Sequence, residues 1–264
     1  MSLKDNIWLW GQTAGSHHNA NIYQLPGVNS MSPEEGAAYF GIRNMCRVKM
    51  SVDNAISLEK EIEDLPNIDK IVLSIVGAGG CPFHKEGKND LDEVIRTAAN
   101  NSKVVAGIMD DFVSEERLPI YTPEVLAKMA DQLHTSLDRA IEFWTVIYER
   151  DLAANLDDEI RSRLQAFDLF TFWTWYSEHL RDLEANYQKI RELAEGKRMM
   201  MGVYMWDYGN KCPLPDELME YQLSFVEEKY AKGEIEGIIL CSNCIMDIGL
   251  STVPIMKKWM GKLK

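Results

Sequence analysis

Short apolar runs recur along the chain at residues 7–10, 44–50, 70–76, 104–109, 141–148, 168–175, 199–206 and 237–241, and a helical pattern follows each of them. The run Ile71-Val72-Leu73-Ser74-Ile75-Val76 is apolar at nearly every position. Such continuity suits a strand buried on both faces of a parallel sheet, whereas a sheet with one wet face alternates. Helix starts are marked by Ser32-Pro33-Glu34-Glu35, Ser51-Val52-Asp53, Asn89-Asp90-Leu91-Asp92, Thr122-Pro123-Glu124 and Pro215-Asp216-Glu217. These put capping side chains, proline or acidic residues where the first free backbone N–H groups need them. From about residue 177 to 196, Leu180, Leu183, Tyr187, Ile190 and Leu193 fall on one helical face, with Arg181, Asp182, Lys189, Arg191 and Glu192 on the others.

Eight strand–helix units in order predict a (β/α)8 TIM barrel, occupying residues 1–264 as a single domain; a doubly wound open sheet is the alternative. The loops after strands one, three, four and seven (11–31, 77–88, 111–121 and 207–214) are long and polar, while the return connections at 65–69 and 100–103 are short. Elaboration therefore sits at the C-terminal ends of the strands, where barrel enzymes keep their chemistry.

Charge narrows the partners. With 41 acidic against 28 basic residues the chain carries a net charge of −13, which repels phosphate backbones and anionic lipid, so neither nucleic acid nor membrane is an expected partner. A small-molecule or oligosaccharide substrate, neutral or cationic, fits better. The five cysteines are odd in number and widely spaced, which points to a reducing compartment. The N-terminal residues show neither a secretory signal nor a span, and the expected location is cytoplasmic. The sequence sets no oligomeric state.

The sharpest chemical feature is Gly107-Ile108-Met109-Asp110-Asp111-Phe112, where two adjacent carboxylates end strand four. Like charges this close raise one pKa, so one aspartate can hold a proton near neutral pH while the other stays ionised, a division of labour that glycosidic hydrolysis needs. Asp207 stands at the end of strand seven beside Trp206 and Tyr208, as a nucleophile, an orienting group or an Asx-turn residue. At the end of strand five Tyr148 is a candidate substrate contact, and Glu149 after it is either a further acidic member or a partner of Arg150. Trp10, Trp173, Trp175, Tyr176, Trp206 and Tyr208 give the expected mouth an aromatic rim on which sugar C–H faces stack. Trp8, Trp144 and Trp259 are read instead as packing outward under the helices.

Gln12 and Asn243 are candidates to hydrogen-bond a substrate amide or hydroxyl. Arg47 and Lys49 alternate on strand two and so share a face, directed either at the acidic mouth and a substrate carboxylate or into internal salt bridges. No G-x-G-x-x-G, P-loop or G-x-S-x-G occurs, Gly77-Ala78-Gly79-Gly80 is a weak phosphate loop, and no cofactor is expected. No metal is assigned either. Cys241-Ser242-Asn243-Cys244 has C-x-x-C spacing without a second pair, while His17, His18 and His84 with the aspartates offer donors for zinc or manganese in a rival reading.

These residues resemble glycoside hydrolase barrels. In the retaining superfamily the acid and nucleophile end strands four and seven, matching Asp111 (or Asp110) and Asp207, but that superfamily uses glutamates and an Asn-Glu pair absent here. The adjacent Asp110-Asp111 is more similar to the β-N-acetylglucosaminidase and hyaluronidase-like family. The D-x-D-x-E motif of chitinase-like enzymes is not found. The resemblance implies that Asp110 orients a substrate acetamide and Asp111 is the acid/base, with Trp206, Asp207 and Asn243 as sugar contacts. Three functions stand: a glycosidase acting on a carbohydrate, a metal-dependent sugar isomerase or hydrolase, and a non-catalytic carbohydrate-binding barrel.

Overall fold

The computed structural model describes residues 2–50, 57–78, 81, 84–153 and 155–263. Eight parallel strands close on themselves in sequence order: β1 (Ile7–Gly11), β2 (Asn44–Arg47), β3 (Lys70–Val76), β4 (Val104–Met109), β5 (Glu142–Tyr148), β6 (Leu169–Trp173), β7 (Arg198–Tyr204) and β8 (Ile238–Cys241). β8 returns to β1 with Ile238 opposite Ile7 and Cys241 opposite Trp10. The expected (β/α)8 barrel is the observed fold.

Helices cover the outside: α1 (Pro33–Phe40), α2 (Leu58–Glu63), α3 (Leu91–Asn100), α4 (Pro123–Thr135), α5 (Glu149–Leu152), α6 (Asp157–Leu164), α7 (Leu183–Leu193), α8 (Asp216–Ala231) and α9 (Thr252–Met260). α1 begins on a full capping box, in which Ser32 accepts from the Glu35 amide and Glu35 reaches back to the Ser32 amide. Thr122 caps α4 in the same sense. Asp90 does not cap α3; its carboxylate is drawn to Lys49 and His84 instead. The start signal at Ser51-Val52-Asp53 lies outside the described residues, and α2 opens on a Ser57 cap. The helix expected over about 177–196 is a 3-10 turn, Ser177–Asp182, leading into α7. Among the described residues no helix is long and apolar enough to cross a membrane.

The barrel interior corrects two expectations. Trp8 and Trp144 do not pack under the helices: β1 and β5 face each other across the barrel, and the two indoles meet edge-to-face inside it at 5.2 Å. Two residues further along β1, Trp10 meets Trp173 of β6 at 5.3 Å, so large aromatics fill successive layers. Gly202 on β7 makes this possible. A Cβ there would lie 1.9 Å from Cδ2 of Trp173, so the indole occupies the space that a side chain on β7 would need. Trp259 does lie on the outside, bonding Glu227 from α9.

Candidate functional site

Above the Trp10–Trp173 layer, a slot of about 420 Å3, counted with its open mouth, lies at the C-terminal ends of the strands. Of the residues anticipated from sequence, Trp10, Gln12, Asp110, Asp111, Tyr148, Trp173, Trp175 and Tyr208 share its wall. Trp175 and Tyr208 stack at 5.6 Å with planes 28° apart, and Tyr148 meets Trp175 edge-on at 5.7 Å. The slot is thus predominantly aromatic, with one acidic corner.

That corner is built by the end of β4. Asp110 is buried, and its Oδ1 accepts from the Asp111 amide at 2.8 Å and from the Tyr148 hydroxyl at 3.2 Å. Arg117 donates to the Asp110 carbonyl and to the Gly77 carbonyl (3.0 Å), which pins the strand end from behind. Burial, and next the charge of Asp111, push the Asp110 carboxyl up to about 8, against the opposing pull of Arg117 and Tyr148. Asp110 therefore holds a proton at neutral pH. With Oδ1 accepting two hydrogen bonds, that proton belongs on Oδ2. Asp111 takes a left-handed backbone conformation (φ 46°), is less buried, and pairs with Arg150 at 3.4 Å. The Arg150 guanidinium also lies 4.4 Å from the Tyr148 ring centroid and 4.6 Å from that of Trp175.

Other anticipated residues are engaged elsewhere. Asp207 accepts from the Ser177 amide (3.3 Å) and hydroxyl (2.5 Å) and from the Asn210 amide (2.8 Å), so it fastens two loops and does not line the slot. Of its anticipated roles it comes nearest to the turn residue, with Oδ1 taking the amide three residues on. Glu149 is bound by the amides of Trp175 (2.7 Å) and Tyr176 (3.1 Å) and by His179, and Arg150 is not its partner. Asn243 clamps the backbone of Gln12 from both sides at 2.9 Å. Trp206 bonds the Tyr23 carbonyl behind the slot wall.

Arg47 does not reach the mouth either. It lies against Glu61 of α2 (3.5 Å) and the carbonyl of Val48 (3.0 Å), while Lys49 bonds Asp90 at 2.5 Å. Neither lines the slot; both side chains are taken up by these partners. Gly77 packs a would-be Cβ 2.5 Å from the Lys49 carbonyl oxygen, and Gly79-Gly80 lie outside the described residues.

The histidines of the metal reading are apart. His84 accepts from the Gly77 amide (2.7 Å) and bonds Asp90 (3.0 Å), whereas His17 bonds Gln12 and Tyr208. Among the described residues no three His, Cys, Asp or Glu side chains converge to hold an ion. Sequence reading missed Tyr23, Met50, Tyr204 and Cys241 in the wall, and Arg150 as the partner of Asp111. Tyr204 was within reach, since it shares strand parity with Gly202; Tyr23 arrives from the long first loop, which carries no periodic signal.

The fold and the slot define a (β/α)8 barrel with an acidic, aromatic-walled site at the usual end. Among solved structures it is similar to the GH128 (subgroup I) endo-β-1,3-glucanase from Amycolatopsis mediterranei in complex with laminaritriose, at 12% identity over 97% of this chain and 100% of that one, with a TM-score of 0.54. It is also similar to the glycoside hydrolase family 17 β-1,3-glucanosyltransferase from Rhizomucor miehei, at 15% identity over 76% and 75%, with a TM-score of 0.50. At such identities the likeness is one of fold. No protein-family model matches the chain, and no curated protein is similar to it in sequence.

Proposed function

We propose that this barrel acts on a glycoside, with Asp110 as the acid/base and Asp111, paired with Arg150, beside it. The observation that carries the reading is the split of the pair. A buried Asp110 keeps its proton on Oδ2, and Asp111 faces the Arg150 cation at the same aromatic slot. The resemblance noted from sequence gave the proton to Asp111; burial favours Asp110. Planar indole and phenol faces supply stacking surface for a pyranose ring.

Asp207 and Glu149 are both spent on loop amides, so the described slot has no third carboxylate to attack the sugar or activate water from the opposite face. This favours a 2-acetamido sugar that supplies its own nucleophile. In that reading Asp110 Oδ2 gives its proton to the glycosidic oxygen as the C1–O bond breaks. The substrate's acetamide oxygen closes on C1 while Asp111 accepts the acetamide N–H. Water then opens the ring at C1, returning a proton to Asp110.

The test is a panel of chromogenic glycosides, including N-acetylglucosaminides and N-acetylgalactosaminides, against the wild type, Asp110→Asn and Asp111→Asn. The expected result is turnover of a 2-acetamido glycoside that falls by ~10²–10⁴-fold in each variant, the usual worth of positioned acid–base catalysis. Loss in Asp110→Asn should shrink for leaving groups that need no proton. Wild-type turnover indifferent to both substitutions overturns the assignment; sugar binding without product makes this a binding barrel.

A further inference from the structure

Gln12, His17 and Tyr208 form a hydrogen-bonded row in the wall of the slot, all three buried. His17 Nε2 bonds Gln12 Oε1, and its Nδ1 lies 2.9 Å from the Tyr208 hydroxyl. An amide oxygen only accepts, so Nε2 carries the hydrogen. Burial, with the neighbouring His18, lowers the His17 pKa to about 3, and the ring is therefore neutral with Nδ1 bare. It follows that Tyr208 donates its hydrogen to His17. The phenol oxygen is then left as an acceptor in the slot wall, with only the weak thiol donor Cys241 Sγ, at 3.8 Å, bonded to it.

This polarity is held from several sides. Asn243 clamps the backbone of Gln12, and the imidazole meets the rings of Tyr208 and Tyr23 edge-on at 5.4 Å each. We infer that Tyr208 is the specificity-determining acceptor of the slot and that His17 is the positioning residue that fixes its direction, so that the slot selects a ligand presenting a hydroxyl or N–H donor to Tyr208 Oη. Applied to a glycoside this rests on the function proposed above. A buried phenol oxygen left with only a weak thiol donor disfavours an analogue lacking the ligand's donor more than a missing methylene would.

The probes are monodeoxy and deoxyfluoro series of whichever 4-nitrophenyl glycoside the wild type turns over, read as kcat/KM. Fluorine accepts weakly and cannot donate, so it separates an accepting Tyr208 from a donating one. At one ring position both the deoxy and the fluoro substrate should lose ~10²-fold or more, and that penalty should fall to within ~3-fold in Tyr208→Phe. His17→Asn, whose Oδ1 sits near the place of Nδ1, should keep the discrimination. His17→Gln, which reaches only the place of Nε2, should lose it while the fold survives.

A fluoro substrate as good as its parent at every position overturns the inference. Independently of turnover, ¹⁵N spectra of the labelled protein should show the neutral Nε2–H tautomer of His17 from pH 5 to 9; an Nδ1–H tautomer or an imidazolium overturns it. If no glycoside is hydrolysed, the glycosidase reading falls, and binding of the same series followed by tryptophan fluorescence decides this one. Equal binding across the series, or none, overturns it.

Discussion

The backbone N–H of Asp111 donates to Oδ1 of Asp110 at 2.8 Å, so each residue of the pair determines what the other can do. The bond settles which oxygen of Asp110 is free for a proton, and the left-handed turn at Asp111 carries the second carboxylate towards Arg150.

Asp110 has a folded-state pKa of about 8 against 3.8 for the free side chain. Between those values the folded chain binds more protons than the unfolded chain, so this group's contribution to stability is full below about pH 4 and is lost as pH rises through 8. Asp110→Asn lacks that loss. Thermal melts should show the variant gaining on the wild type by at least ~2 kcal/mol across the window, at roughly 1.4 kcal/mol per unit of pKa shift. A difference that does not vary with pH would place the proton elsewhere.

The Tyr148 hydroxyl bonds Oδ1 and favours the ionised form of Asp110. Tyr148→Phe should therefore raise the Asp110 pKa further, moving the alkaline limb of the kcat/KM profile upward. A limb that stays in place, or moves down, contradicts the geometry.

Asp207→Asn removes the charge that gathers Ser177 and Asn210. It should cost about 1–3 kcal/mol in denaturant unfolding, as expected for hydrogen bonds to a charged group, with kcat changed by less than ~10-fold. A loss of ~10³-fold in kcat with unaltered stability would return Asp207 to the chemistry.

Gly202→Ala forces a methyl into the indole of Trp173. Overpacking a buried layer should cost ~1–3 kcal/mol or more, and adding Trp173→Phe should recover part of it in a double-mutant cycle.

How much of this could be read from the chain follows from the physics of each level. All eight strands were visible because a strand buried on both faces writes its apolar content continuously into the sequence, as at residues 70–76. Asp110 and Asp111 were visible because they end such a run. The inward direction of Trp8 and Trp144 was not, since it depends on strand parity set by the closed sheet. Asp207 and Glu149 looked like their neighbours at strand ends; what distinguishes them is that backbone amides of later loops, brought near only by folding, use up their oxygens. Between the two directions left open for Arg47, the choice rested on Glu61, a partner that arrives only on the next helix.

The Trp8–Trp144 contact lies one layer beneath the Trp10–Trp173 floor of the slot, and the two layers fill the barrel interior there. Traffic is therefore one-way in space though two-way in time: whatever enters by the mouth must back out through it. If the proposed hydrolysis holds, a spent fragment beside Trp10 would block the next arrival until it departs, and slow exit at that single door would limit the cycle.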